Sequence, residues 1–489
     1  MNLIPFFVII PLATAFFIPL VGKRIKRIGD IVSIAATISL LGISISIASL
    51  IITNKVLIFE IGKWAAPMGI SMVVDGFSAF MLVIVNTISF LVALYCAGYI
   101  KKYTDTWKFY TLFMLMVGGM NGVLISGDLF NMYVALEITA IAGYALVAFG
   151  IDAEGLEASF KYAVMGAVGS SFILLGIALL YGYTLTLNIT DMAAVIAIKG
   201  TSKIILFVSA LFIMGFGLKA ALIPFHAWLP DAHSSAPTPI SAMLSGLLIK
   251  VLGIYALCRI FFNVFGMTPN ISLILIIMGV MSMVIAGILA FGQYDIKRLL
   301  AYSTISQIGY IALGLGVGTP LAIMGALFHL FNHSISKSLL FLNAGAVEHS
   351  TGIRDLRQMS GVLARSPVTG CTNLIGTMSI CGIPPLGGFW SKLIIIFACI
   401  QADRPGLAFI ATAVSILTLS YYFRAMTPVL FGSKGKHADN TGKPITVTMA
   451  IPMVILAVLS IMSVLLLLPN TGRELLGGAI AVLGKGALR

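Results

Sequence analysis

Lys219, Lys250, Lys337 and Lys392 each stand inside a long apolar run, and Glu137 stands inside another. On an insertion scale, one charge at the centre of a bilayer costs about 2.5–3.5 kcal/mol, so the five together would cost roughly 10 kcal/mol or more if each stood alone. Such groups persist when they pair with one another or line a wet cavity. Burial favours a neutral carboxyl and a neutral amine, while pairing favours both charges. A Glu and a Lys within contact range can therefore hold charge in one state and trade a proton in another. The sequence predicts this relation for Glu137, taken to be the only carboxylate within a span, and Lys219.

A second constellation lies in "GALFHLFNHSISKSLLF". His329, His333 and Lys337 are four residues apart, and four residues turn a helix by about 400°, so the three share one face. Histidine exchanges protons near neutral pH, which suits that face to a proton relay. The H-x-x-x-H spacing also resembles a zinc site, and plain packing polarity would give the same spacing. A zinc peptidase would need Glu after the first His, where Leu330 stands. No third ligand has an obvious spacing, and no metal is expected.

Two proline breaks flank these residues. "GFGLKAALIPFHAWLPDAH" places Pro224 five residues after Lys219, and "GIPPLGGFWSK" places Pro384 and Pro385 shortly before Lys392. A proline inside an apolar run frees backbone groups that water or neighbouring side chains must meet. His226, just past the first break, is expected to connect the site to the cytoplasm. His233, His349 and His437 are expected in loops.

The elements that must hold these groups follow from composition. The chain has 489 residues, 59% of them hydrophobic and 10% charged, where a soluble domain carries roughly 25% charged residues. Apolar runs of about 20 residues recur, long enough for a helix to cross a bilayer. The expected fold is an all-α polytopic membrane protein forming one integral domain, 1–489. Fourteen spans are predicted, near 3–21, 29–52, 77–100, 109–127, 129–150, 160–182, 203–225, 237–260, 271–291, 297–317, 319–345, 369–400, 407–430 and 445–468. Spans seven and twelve are the broken ones. They are five spans apart, and five is odd, so the two would run in opposite directions. That is the pattern of an inverted repeat, in which broken helices mark a transport site. The predicted units are 109–260 and 271–430.

Orientation follows from the loops. Those after odd-numbered spans hold Lys23, Arg24, Lys26, Arg27, Lys101, Lys102, Lys108, Lys161, Lys297, Arg298, Arg354, Arg357, Arg365, Arg424, Lys434, Lys436 and Lys443. The opposite side holds Lys55, Lys63, Lys199, Lys203, Arg259, Arg404, Arg473, Lys485 and Arg489. The richer side is predicted to be cytoplasmic, with both termini outside. The first apolar run lacks a basic flank before it, so a retained helix is expected rather than a cleaved signal peptide.

The net charge of +13 reads as loop lysines and arginines at a membrane surface, and nucleic acid is not an expected partner. Cys96, Cys258, Cys371, Cys381 and Cys399 are scattered and read as buried apolar residues. No phosphate loop appears, and Gly215-Phe216-Gly217 lacks the third glycine of a dinucleotide signature. No cofactor is expected. The chain would exchange one ion gradient for another or be driven by partner subunits.

With these residues in place, the sequence resembles the large antiporter-like subunits shared by Mrp-type cation/proton antiporters, respiratory complex I and membrane-bound hydrogenase-type complexes. "SGDLFNMYVALEI", "GLKAALIPFHAWLPDAHSSAPTPISAMLSGLLIKVLGIYAL", "DIKRLLAYSTISQIGY", "FHLFNHSISKSLLF" and "GIPPLGGFWSKL" carry the resemblance. It implies fourteen helices with inverted repeats and a hydrated polar axis near the mid-plane. It also implies roles in proton translocation for Glu137, Lys219, Lys250, His329, His333, Lys337 and Lys392. Lysine at 392, where some members have glutamate, is most similar to the D-type Mrp subunit. The implied partners are protons, sodium, the lipid bilayer and other membrane subunits. The resemblance leaves open a role inside a cation-translocating oxidoreductase, and leaves open a coupling or scaffold subunit that does not itself conduct.

Overall fold

The structure, a computed structural model, describes residues 3–25, 27–103, 105–200, 202–432, 444–468 and 473–487. Lys26, Lys434, Lys436, His437, Lys443 and Arg489 lie outside the described residues.

The chain is mostly helical. The first half holds α1 (Phe6–Gly22), α2 (Ile28–Asn54), α3 (Gly76–Tyr99), α4 (Thr106–Ile125), α5 (Leu129–Val147), α6 (Ala153–Thr184), α7 (Ile189–Lys199), α8 (Lys203–Lys219), α9 (Trp228–Ser235) and α10 (Thr238–Met243). The rod begun by α10 continues through a π-helical stretch (Leu244–Tyr255), α11 (Ala256–Cys258) and a second π-helical stretch (Arg259–Val264). The second half holds α12 (Pro269–Phe291), α13 (Ile296–Val317), α14 (Pro320–Thr351), α15 (Val362–Arg365), α16 (Pro367–Cys381), α17 (Gly387–Gln401), α18 (Pro405–Phe431), α19 (Val447–Met462) and α20 (Arg473–Ala487).

Polar residues set the starts. Asp75, Asp128, Asp152, Ser202, Asp295 and Thr319 each accept a backbone N–H in the first turn of the helix that follows, meeting donors that would otherwise be unpaired. Outward faces are apolar. On α2, Ile31, Ile38, Ile45 and Ile52 are all about half exposed or more, and their seven-residue spacing makes one lipid-facing stripe. Ten helices among the described residues are long and apolar enough to cross a membrane. The polar face of α14 keeps it out of that set, and the two breaks shorten the runs around Pro224 and Pro384.

Several expectations need correction. The chain is not all-α: Val56–Glu60 (β1) and Ser71–Asp75 (β2) pair antiparallel, Val56 opposite Asp75, between α2 and α3. The α20 helix falls beyond every predicted span. Cys371 is exposed, unlike the other four cysteines, because it lies on the outer face of α16. His233 is not in a loop; it lies on α9, fully buried. His349 lies in the last turn of α14. Lys297 and Arg259, counted with the loop charges, are both buried, since each has a carboxylate partner within the fold. Glu137 is not alone among helical carboxylates, for Asp30 lies on α2 and Glu348 on α14.

Both breaks are built from left-handed backbone. Ala221 has φ +54° and Gly382 has φ +80°. At the first, Trp228 Nε1 donates to the carbonyl of Leu218 at 3.1 Å, and Ile223 N–H donates to Ser282 Oγ at 3.0 Å. At the second, Lys392 Nζ donates to the carbonyl of Ile380 at 2.7 Å. Helix ends set inside a bilayer must satisfy their backbone internally, and these side chains do so.

Candidate functional site

Lys219 ends α8, and Glu137 lies on α5. The break after Lys219 leaves its ammonium 3.5 Å from Glu137 Oε1 and 3.5 Å from the Tyr144 hydroxyl. Ser170 on α6 donates a short hydrogen bond to the same carboxylate oxygen. Lys219 is buried, while a quarter of the Glu137 side chain remains exposed. Tyr144 meets Tyr162 edge-on, and Tyr162 stacks on Trp228 at 4.1 Å. The indole that closes the break thus also backs the tyrosine pair beside the ion pair.

Lys250 lies on the π-helical stretch. Its ammonium donates to the carbonyls of Ser245 and Gly246 at 2.5 and 2.9 Å. These carbonyls lie five and four residues before Lys250 on its own stretch, and each has a second lone pair with which to receive the lysine. Gly253, about one turn further on, packs on Ala220, where a Cβ would fall 2.4 Å from the Ala220 Cα. The glycine therefore lets this rod lie directly against the end of α8. No hydrogen bond among the described residues joins Lys219 to Lys250.

From Lys250 a polar bridge leads to α14. Ser245 Oγ meets Thr304 Oγ1 at 2.7 Å, and Thr304 donates to the carbonyl of Leu300 at 2.8 Å. Lys337 Nζ donates to that same carbonyl at 3.0 Å and to the Tyr422 hydroxyl at 3.0 Å. One carbonyl on α13 is thus shared by the Lys250 side and Lys337.

His329, His333 and Lys337 share a face of α14, as their spacing predicts. The two imidazole centroids are 6.2 Å apart. His329 Nδ1 meets Ser391 Oγ at 2.9 Å, next in sequence to Lys392. Both ring nitrogens of His333, both amide atoms of Gln307, His329 Nε2 and the Tyr421 hydroxyl are buried without a protein partner. Buried polar atoms of this kind are met by ordered water. The two histidines lie two turns and one turn before Lys337 on α14, where the direct hydrogen bonds stop.

His226 is half-buried between α8 and α9, with Nδ1 unpartnered. None of the described hydrogen bonds ties it to Lys219 or to the lysines beyond. Among the described residues, no group of three or more His, Cys, Asp or Glu is arranged to hold a metal.

Two buried ion pairs escaped the sequence. Arg259 grips Asp75 with both terminal nitrogens, at 2.7 and 2.6 Å, and also bonds Ser78 and the Tyr255 hydroxyl. An arginine near the end of an apolar span was the available signal, but nothing local identified its partner. Lys297 lies 3.6 Å from Glu348 Oε2. The regular apolar run of α14, continuing past residue 345, could have drawn Glu348 into the helix.

Comparison with known proteins adds the context. Residues 126–418 match a family described as NADH:quinone oxidoreductase/Mrp antiporter, and residues 59–110 match the N-terminal region of chain 5 of NADH-ubiquinone oxidoreductase. The chain is 33% identical over 462 residues to the D-type subunit of the Na(+)/H(+) antiporter of Alkalihalophilus pseudofirmus, covering 94% of this chain and 93% of that one. Its fold superposes with TM-score 0.89 on a chain of the Mrp complex from Dietzia sp. DQ12-45-1b, at 28% identity, covering 100% of this chain and 99% of that chain. It does so equally on a chain of the archaeal membrane-bound sulfane sulfur reductase, a respiratory membrane complex, with TM-score 0.89 and 33% identity over 99% and 98% of the two chains.

Proposed function

This chain belongs to the NADH:quinone oxidoreductase/Mrp antiporter family, and from that premise we propose that it is a proton-translocating, antiporter-like subunit of a multisubunit membrane complex. It is an integral multi-pass membrane protein. In this reading the bundle crosses the bilayer fourteen times as two inverted five-helix units, 109–260 and 271–430, with both termini outside. The other membrane subunits of an Mrp-like or complex I-like assembly are its partners. Sodium exchange or a redox reaction in those partners drives it, which would make it part of a cation-translocating oxidoreductase in the second case.

Glu137 and Lys219 act as the switchable pair. When their contact opens, the field holding the Lys219 proton weakens and the proton moves inward. Lys250 receives it and passes it, through water beside the Ser245 and Thr304 hydroxyls, toward Lys337 and His333. His329 carries it past Ser391 to Lys392, which serves the far exit. His226 gives the Glu137–Lys219 pair its access to the cytoplasm. The observation that carries this reading is the buried Lys219 ammonium held 3.5 Å from Glu137 at a helix break.

In a second reading this protein is a coupling element that holds a field without conducting, with sodium carried elsewhere. The lack of a direct hydrogen bond between Lys219 and Lys250 favours it. Site variants in the complete assembly separate the two. Lys219→Ala or Glu137→Ala is expected to abolish ion transport by an intact complex, and undiminished transport sinks the first reading. Lost sodium movement with retained local proton exchange supports the second. The orientation is checked by Asp105→Cys in a Cys371→Ser background: a membrane-impermeant maleimide should label it only from the cytoplasm.

A further inference from the structure

A second set of ionisable groups runs inward from the face that carries the basic loops. Glu348, in the last turn of α14, keeps a fifth of its side chain exposed. Its Oε2 accepts from Thr238 Oγ1 at 3.0 Å. Thr238 meets the Tyr99 hydroxyl at 3.1 Å, and the exposed Lys102 donates to that hydroxyl at 3.0 Å. On the inner side, the same carboxylate oxygen lies 3.6 Å from the buried Lys297 ammonium, which also donates to the carbonyl of Ala236 at 2.9 Å. Ala236 closes the C-terminal end of α9, and α9 carries His233.

His233 is fully buried, and neither ring nitrogen has a partner. Its ring stacks on Phe341 with centroids 4.8 Å apart. Phe341 is one turn beyond Lys337 on the same face of α14. The cations whose fields act on this imidazole are Lys337, Lys297 and Lys250. Packing alone does not account for it. A phenylalanine would keep the stack without two unpaired nitrogens, each of which costs about 1–3 kcal/mol when buried.

We propose that Glu348, Lys297 and His233 form a proton entrance from the basic face to Lys250 and Lys337. The proposal rests on the translocation reading above and adds a doorway separate from His226. Each step moves one proton between named groups. Lys297 gives a proton to His233 through the water that meets its unpartnered ring nitrogens, and becomes neutral. Glu348, protonated from water at the surface, returns one to Lys297 and becomes a carboxylate again. The His233 imidazolium passes its proton to neutral Lys250 or Lys337, and the chain resets with no net charge gained.

The test uses the complete assembly in membrane vesicles, with proton movement followed by a pH-sensitive dye. His233→Phe preserves the stack and removes both nitrogens. It is expected to slow proton movement about a hundredfold or more, the scale of a lost acid–base group, while assembly of the complex stays normal. Glu348→Gln preserves the Thr238 hydrogen bond and is expected to slow transport likewise, with Glu348→Asp restoring part of the rate. Wild-type rates in an assembled His233→Phe complex overturn the entrance. Should that variant fail to assemble, wild-type rates in Glu348→Gln overturn it instead. Lys219→Ala is the reference: if it is inactive while the entrance variants run normally, only the entrance falls. If Lys219→Ala also runs normally, the translocation reading itself falls.

Discussion

Tyr310 stands between His329 and Lys392. Its ring centroid is 5.6 Å from that of His329 and 5.3 Å from the Lys392 ammonium. Its hydroxyl donates to the carbonyl of Ala411 at 2.6 Å, which pins the ring to α18. A buried aromatic face attracts a cation, so Tyr310 holds the Lys392 ammonium beside the imidazole face.

Tyr310→Phe keeps the ring and loses one hydrogen bond, worth about 0.5–1.5 kcal/mol. It should retain most transport with a small drop in thermal stability. Tyr310→Leu removes the ring, and transport by the assembled complex should fall well below that of the Phe variant. Equal rates for the two would show that the ring does not organise Lys392.

Removing Glu137 alone leaves the Lys219 ammonium buried without its counter-charge. Breaking such a pair costs about 3–5 kcal/mol when both groups are fully buried, and less here because Glu137 is partly exposed. Glu137→Gln should therefore lower the melting temperature in detergent and silence transport. The double variant Glu137→Gln/Lys219→Met should regain stability and remain silent. Transport restored in the double variant would assign the pair a purely structural role.

Asp75 and Arg259 form a doubly bonded buried pair at the junction of β2, α3 and the second π-helical stretch. Arg259→Met strands the Asp75 carboxylate and should destabilise the fold by about 3–5 kcal/mol. Transport normalised to assembled complex should be unchanged, because this pair makes no described contact with Lys219, Lys250 or Lys392. A selective loss of transport at full assembly would place the pair in the translocation machinery.

Gly388 opens the first turn of α17, where an added Cβ would come 1.8 Å from the carbonyl oxygen of Ser379. That neighbour is backbone, so Gly388→Ala must push α17 away from α16 and move Lys392 off the Ile380 carbonyl. Reduced stability and reduced transport are expected together. Gly406→Ala, with nothing within 4 Å, should match the parent chain in both measurements and serves as the control.

The sequence by itself determined the apolar runs, the two proline breaks and the lysines that interrupt them. It also put His329, His333 and Lys337 on one face. All of these are local properties: hydropathy, helical periodicity and backbone chemistry act over a few turns. Tertiary structure alone decided which charges meet. Asp75 and Arg259 are 184 residues apart, and no local pattern marks one as the other's partner. Lys297 and His233 read as loop residues, because charge and a short proline-flanked segment ordinarily mean surface. Packing of α9, α13 and α14 buried them instead. The hairpin of β1 and β2 was missed because its strands are short and fall between two apolar helices. Tyr310 and Gln307 acquired their places only when α13 was laid against α14 and α17. A buried polar group is defined by what surrounds it, and that surrounding exists only in the assembled bundle.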